Sequence, residues 1–251
     1  MAALWPRVAH AEPDHHFALR FYPVDRRAAA LTLMAFTAEL RGTPARVSEP
    51  MIGEIRLQWW RDAVEGVFGE GRLLAHPVVE AMKTTLPERP ELRAPLDRMI
   101  NETARFFEPG DPRAIEEAIA VAAVHDGGLA TLLARLLTEE AFDEATETAF
   151  RRWGASYGLG RARHVSPVQG AAPKIEGPIP RLHRFAVASE ELRKVRSDLA
   201  DVDAIGKGRP VMRALAPVSA PLKLAAQDLS NKPLPPGARY RRMAWTIFRG
   251  R

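Results

Sequence analysis

The sequence contains no cysteine, which excludes disulfide bonds and thiolate metal sites. No apolar run approaches the roughly 18 to 20 residues that a transmembrane helix needs, and the first residues lack the apolar core of a secretory signal. The sequence also lacks a glycine-rich phosphate loop, a G-x-S-x-G elbow and an H-E-x-x-H motif. These absences argue against common nucleotide-binding, serine hydrolase and zinc protease classes. The absence of cysteine fits a protein of the reducing cytoplasm, which is the location we expect.

Acidic residues are missing from the C-terminal end. Residues 231–251 hold one lysine and five arginines but no acid, so the net charge of +5 is concentrated there and the rest of the chain is close to neutral. The same segment contains Tyr240, Trp245 and Phe248. Two interpretations stay open: the segment makes peripheral contact with anionic lipid or an acidic partner, or it is a last helix docked by its aromatics with arginines reaching solvent. We expect no nucleic acid partner.

The apolar residues that are present follow helical spacing nearly everywhere, and no stretch shows sustained β alternation. Asp25 is the predicted N-cap of a helix that ends near Arg41, where Gly42 and Pro44 should stop it. A second helix is predicted from Ser48, and others over 77–86, 91–107, 113–137, 139–160, 181–200, 209–229 and 238–248. We therefore predict one all-α domain of about eight to ten helices over residues 1–251, with residues 1–13 as an N-terminal extension.

The stretch "GEIRLQWWRDAVEG" (53–66) places two adjacent tryptophans on the second long helix. One apolar stripe runs through Leu57, Trp60, Val64 and Val67, and a second through Ile52, Ile55, Trp59 and Ala63. Two stripes side by side predict a helix at the centre of a bundle. Its polar edge either binds a divalent ion or pairs internally at i, i+4 spacing; the residues of that edge are Glu54, Gln58, Asp62 and Glu65.

The dipeptide His125-Asp126 stands before two glycines in a largely apolar stretch. Glycines at such a position favour a hinge or a close contact between helices, because they carry no side chain. A catalytic role for the histidine is the alternative.

Three consecutive stretches are similar to the N-terminal half of the squalene and phytoene synthase family: "FALRFYPVDRRAAALTLMAFTAEL", "EPMIGEIRLQWWRDAVEG" and "HPVVEAM". The later "WGASYGLGRARHV" matches more loosely, and the resemblance covers about residues 14 to 230. It implies the isoprenoid synthase-type helical bundle, which agrees with the helix count. It also implies an enzyme that joins two prenyl diphosphates head to head.

Such enzymes hold magnesium with two aspartate-rich motifs that face each other across the bundle, because Mg²⁺ must bridge the leaving diphosphate to carboxylates. The resemblance places the paired aspartates of the first motif at Arg41 and Gly42, and the second motif at about residues 167–171. No acid occurs between Arg151 and Ile175, whereas five basic residues do. We therefore expect no metal, no cofactor and no magnesium-dependent prenyl transfer.

One branch of the family, an assembly factor for respiratory complex I, resembles this chain in "AFTAEL" and "SEPMIGEIRLQWW". The shared residues go beyond helix patterning and are Ser48, Glu49, Ile52, Gly53, Arg56 and Gln58. The resemblance implies respiratory-complex proteins as partners. It also implies a peripheral location at the inner membrane, or in an organellar matrix if the chain is eukaryotic.

Two hypotheses from different classes result. In the first, the protein is a non-catalytic binding or assembly factor whose cavity holds a prenyl diphosphate or an anionic lipid. Arginine makes forked contacts to phosphate, and the candidate contacts are Arg26, Arg27, Arg161 and Arg163. In the second, it is a prenyl transferase of the phytoene or squalene synthase type with a rebuilt Mg²⁺ site, and the candidate ligands are Glu39, Glu54, Asp62 and Glu65.

Overall fold

A computed structural model describes residues 2–71, 74–107, 120, 122–138, 144–164, 215–224 and 234–250. All regular structure in these ranges is helical, which confirms the predicted all-α bundle. The ten α-helices found there are α1 (Leu4–Ala11), α2 (Pro13–Ala18), α3 (Val24–Arg46), α4 (Pro50–Phe68), α5 (Pro77–Thr85), α6 (Arg93–Ala104), α7 (Gly128–Leu137), α8 (Glu144–His164), α9 (Ala216–Lys223) and α10 (Pro236–Gly250). The predicted helix over 181–200 and the position of the second motif at 167–171 lie outside the described residues.

The N-terminal residues, for which the sequence predicted no helix, form α1 and α2. Leu4 and Val8 of α1 are buried in the main core, and α1 packs against α3. A 3₁₀ turn at Leu19–Phe21 then leads into α3. The segment set apart as an extension thus contributes core residues, and it places Glu12 at the junction between α1 and α2.

Helix α3 continues to Arg46, so the predicted end near Arg41 is wrong. Pro44 lies in the last turn, where its missing N–H costs only one backbone hydrogen bond. Side chains hold this turn instead: the Thr43 hydroxyl donates to the Glu39 carbonyl at 2.9 Å, and Arg46 forms an ion pair with the Glu39 carboxylate.

Helix α4 buries only one of the two predicted apolar stripes in full. Leu57, Trp60 and Val64 are in the core. In the second stripe Ile52 is exposed and Ile55 is 62% exposed. The stripe was predicted to be buried because apolar spacing shows which residues share a face, not whether a neighbour covers that face. Trp59 and Trp60 meet edge to face at 4.9 Å between ring centroids, so packing accounts for both tryptophans.

A π-helical turn at Ala123–Gly127 precedes α7 and packs closely against α8. The π-helical turn also contacts α3, α6 and α7. Among the helices of the described ranges, none combines the length and the apolar character needed to cross a bilayer.

Candidate functional site

Arg41 lies at the centre of a buried ionic cluster formed by Glu12, Arg41 and Asp126. Its Nη1 donates to Glu12 Oε1, and its Nη2 donates to Asp126 Oδ1 at 2.9 Å. Glu12 is 0% exposed and Asp126 is 3% exposed, while Arg41 itself is largely buried. The three residues come from the α1–α2 junction, α3 and the π-helical turn, so the Arg41 cluster ties together three separate elements.

Glycines position the acidic member of the π-helical turn. A Cβ atom at Gly154 of α8 would lie 2.5 Å from the Cα of Gly127, and a Cβ atom at Gly158 would lie 2.6 Å from the Asp126 Cγ. Both distances are shorter than side-chain carbons tolerate, so only glycine lets α8 approach this turn. Of the hinge and the close helix contact that the sequence left open at His125–Gly128, the structure shows the close contact.

His125, the catalytic alternative of that stretch, is packed inside the protein. Its Nε2 lies 3.0 Å from the Thr103 hydroxyl, its ring contacts Phe106, and it is 1% exposed. These contacts describe a histidine held by packing and hydrogen bonding.

In the Arg41 cluster, one guanidinium neutralises charge on two buried carboxylates, those of Glu12 and Asp126. A guanidinium is always protonated and donates only, so it satisfies carboxylates but ligates no metal. It also repels a cation: two unit charges 4 Å apart interact by about 4 kcal/mol near a protein surface, and the repulsion doubles for a divalent ion. The cluster can therefore fix the relative positions of the α1–α2 junction, α3 and the π-helical turn, and Arg41 engages one oxygen of each of its two carboxylates.

Glu39, the first fallback metal ligand, occupies a second cluster on the same helix. It is buried, and both of its carboxylate oxygens accept from arginines, Arg7 on α1 and Arg46 at the end of α3. His76 lies in the field of this cluster. Burial lowers the pKa of His76; Arg7 and Arg46 lower it further, and Glu39 opposes them. The structure thus places Glu39 between two cations.

The other three fallback ligands lie on the exposed edge of α4. Glu54 and Asp62 are exposed, and Asp62 accepts from Gln58 Nε2 at 2.8 Å. Glu65 forms an ion pair with Arg93 of α6. The Gln58–Asp62 contact has the i, i+4 spacing of the alternative that the sequence left open. Within the described ranges, no three His, Asp or Glu side chains are grouped so as to hold a metal ion.

The arginine candidates separate into two described and two undescribed side chains. Arg27 donates to the carbonyls of Tyr22 at 3.0 Å and Arg20 at 2.9 Å, so it holds the 3₁₀ turn before α3. Arg26 pairs with Asp25 at 3.0 Å. Arg161 and Arg163 belong to the last turn of α8, and their side chains lie outside the described part of the structure.

Sequence reasoning missed two buried carboxylates that form ion pairs with arginines: Glu12, which pairs with Arg41, and Asp14, which pairs with Arg239. The Asp14 carboxylate is buried and accepts from Arg239 Nε of α10 at 2.8 Å and from the Tyr157 hydroxyl of α8 at 3.1 Å. One signal was available for Asp126: an acid inside an apolar stretch must be neutralised by a base. Arg41, a base that follows the apolar run of α3, was the complementary signal.

The sequence model of the squalene/phytoene synthase family matches residues 8–162. The match covers more than half of the chain and includes all three residues of the Arg41 cluster. A comparison with curated protein sequences gives no match.

Proposed function

The chain belongs to the squalene/phytoene synthase family, and we propose that it is a member without magnesium-dependent prenyl transferase activity. In this proposal it acts as a binding or assembly factor for a respiratory complex. The helical bundle serves as a scaffold that binds protein partners, and no metal takes part.

The observation that carries the proposal is the buried guanidinium of Arg41. The family resemblance puts the first aspartate of the metal-binding motif at this position. Here a fixed positive charge takes that place and is neutralised by Glu12 and Asp126. Removing one partner from a buried ion pair costs about 3 to 5 kcal/mol, so a metal ion that recruited Asp126 would have to overcome that cost as well as the repulsion by Arg41.

The alternative of a rebuilt metal site receives little support. Glu39 is held by two arginines, Glu65 by Arg93, and Asp62 lies on the outer edge of α4. Carboxylates that share one hard cation must lie within about 5 Å of one another across a cavity. Glu39, on α3, is buried and doubly paired, while the other candidates are on the exposed edge of α4.

The surface of α4 supports the binding role. Five of the six residues that resemble the assembly-factor branch are exposed just before α4 or in its N-terminal half: Ser48, Glu49, Ile52, Arg56 and Gln58. Met51 and Ile55 add exposed apolar area beside them. Gly53, also shared, faces inward against Phe107 and allows that ring to approach the helix. A mixed apolar and charged surface of this kind suits a protein partner.

The enzymatic half of the proposal is tested with purified protein, farnesyl or geranylgeranyl diphosphate, and Mg²⁺ present or absent. We expect no diphosphate release in any combination, with an active phytoene synthase as the positive control. Thermal stability is recorded in parallel, because a ligand that binds only the folded state raises the unfolding temperature. Magnesium-dependent release would overturn the proposal, whereas stabilisation without release would identify a binding pocket.

The assembly half is tested in the organism that produces the protein. Deletion should lower the amount of assembled respiratory complex I on native gels, and wild-type protein should restore it. The variant E49K/R56E reverses two exposed charges, one just before α4 and one on it, and should fail to restore assembly, while R93Q, on α6, should succeed. Normal assembly in the deletion strain would refute this role.

A further inference from the structure

The outer face of α10 combines exposed aromatics with exposed arginines. Trp245 is 58% exposed and Phe248 is 61% exposed, although aromatic side chains of this size are usually covered. Three exposed arginines flank them at helical spacing, Arg241, Arg242 and Arg249. The Arg249 guanidinium carbon lies 4.7 Å from the centroid of the Trp245 ring. This set of five residues is called the α10 outer face below.

The opposite side of α10 is firmly attached to the bundle. Met243 and Ile247 are fully buried, and Tyr240 stacks on Phe17 with 4.6 Å between ring centroids. Arg239 pairs with the buried Asp14 carboxylate. The helix is therefore held in one orientation, and the exposure of Trp245 and Phe248 is a property of the docked helix.

The neighbouring 3₁₀ turn extends this surface. Phe21 meets Phe248 edge to face at 5.8 Å, and exposed Arg20 lies 5.2 Å from the Phe17 ring centroid. Helix α10 itself contains no acidic residue. The surface thus joins apolar rings to a local excess of positive charge.

We propose that the α10 outer face binds an anionic lipid bilayer, with the helix axis parallel to the membrane plane. Trp245 and Phe248 enter the boundary between headgroups and acyl chains, while the arginines contact lipid phosphates. An anionic lipid is favoured over an acidic protein because the aromatics protrude between the charges, as an amphipathic interfacial helix requires. The inference holds whether or not the protein catalyses prenyl transfer, since it uses none of the residues of the Arg41 cluster.

The test is co-sedimentation of the full-length protein with vesicles of phosphatidylcholine alone or of phosphatidylcholine mixed with phosphatidylglycerol. We expect binding to the mixed vesicles only, with weaker binding at high salt. R241Q/R249Q should weaken it about 25-fold, since each arginine near an anionic surface contributes about fivefold. W245A/F248A should weaken it by about tenfold or more and should abolish quenching of tryptophan fluorescence by brominated lipid.

The matched control is I55S/R56Q, which removes one exposed apolar and one exposed basic side chain from α4. It should bind vesicles as wild type does, so failure of the assembly role and failure of membrane binding are distinguishable. Circular dichroism of each variant checks that the fold is retained. Equal binding to neutral and anionic vesicles, or unchanged binding of both α10 variants, would overturn the proposal. Binding to an acidic polypeptide without binding to vesicles would overturn it as well.

Discussion

Replacement of Arg41 by methionine should destabilise the protein strongly. The substitution conserves much of the side-chain volume but leaves Glu12 and Asp126 buried without their shared cation. Breaking a buried ion pair by removing one partner costs about 3 to 5 kcal/mol, and here one guanidinium serves two carboxylates. For a chain of this size the corresponding loss in unfolding temperature is on the order of 10 °C.

The assay is equilibrium urea unfolding of wild type, R41M and two comparison variants. R56M removes an exposed arginine and should change the free energy of unfolding by less than about 0.5 kcal/mol. The triple variant E12Q/R41M/D126N removes all three charges and should recover to within about 2 kcal/mol of wild type, because it leaves no buried charge unpaired. A loss below about 1 kcal/mol in R41M would refute the role assigned to the cluster.

Three further predictions concern packing, proton binding and a buried hydroxyl. In the same urea assay, Gly158→Ala should lower the free energy of unfolding by about 1 to 3 kcal/mol, because the added methyl group overpacks against the π-helical turn. Gly237→Ala should stay within about 1 kcal/mol of wild type, because the nearest atom to a Cβ at Gly237 is 3.5 Å away. Because burial lowers the pKa of His76 below 6.5, its neutral form stabilises the fold above that pH. This contribution is lost as the pH falls from 6.5 toward the folded-state pKa, so His76→Asn should flatten the pH dependence of the urea midpoint below that pH. Tyr157→Phe should lower the free energy of unfolding by about 1.5 to 3 kcal/mol because the Tyr157 hydroxyl donates to a buried carboxylate. Tyr22→Phe should be neutral or stabilising in thermal unfolding, since the buried Tyr22 hydroxyl has no hydrogen-bond partner among the described residues.

The fold was predictable because helical periodicity is a local property of the sequence. The predicted helix 77–86 corresponds to Pro77–Thr85, and the predicted helix 238–248 lies within Pro236–Gly250. The end of α3 was wrong because proline and glycine stop a helix only when nothing else holds the last turn. The Arg46–Glu39 ion pair and the Thr43 hydrogen bond supply that support, and both depend on side-chain geometry.

The candidate site was predictable only in part. The sequence showed that Arg41 stands where the family resemblance expects a carboxylate and that no acid occurs between Arg151 and Ile175, and these two observations together led us to expect no metal. It did not show that Glu12, 29 positions away, and Asp126, 85 positions away, are the partners of that arginine. Ion pairs between distant elements depend on tertiary packing, here on the approach of α8 that Gly154 and Gly158 permit.

The proposed function requires that the Arg41 cluster leaves no site for magnesium and a prenyl diphosphate together. The most direct measurement is the unfolding temperature of wild-type protein with farnesyl thiodiphosphate, an analogue that resists cleavage, as Mg²⁺ is raised through the millimolar range. We expect an unfolding temperature that is independent of Mg²⁺. A rise that grows with the logarithm of the Mg²⁺ concentration would show a metal bound to the folded state and would refute a metal-free role for this protein.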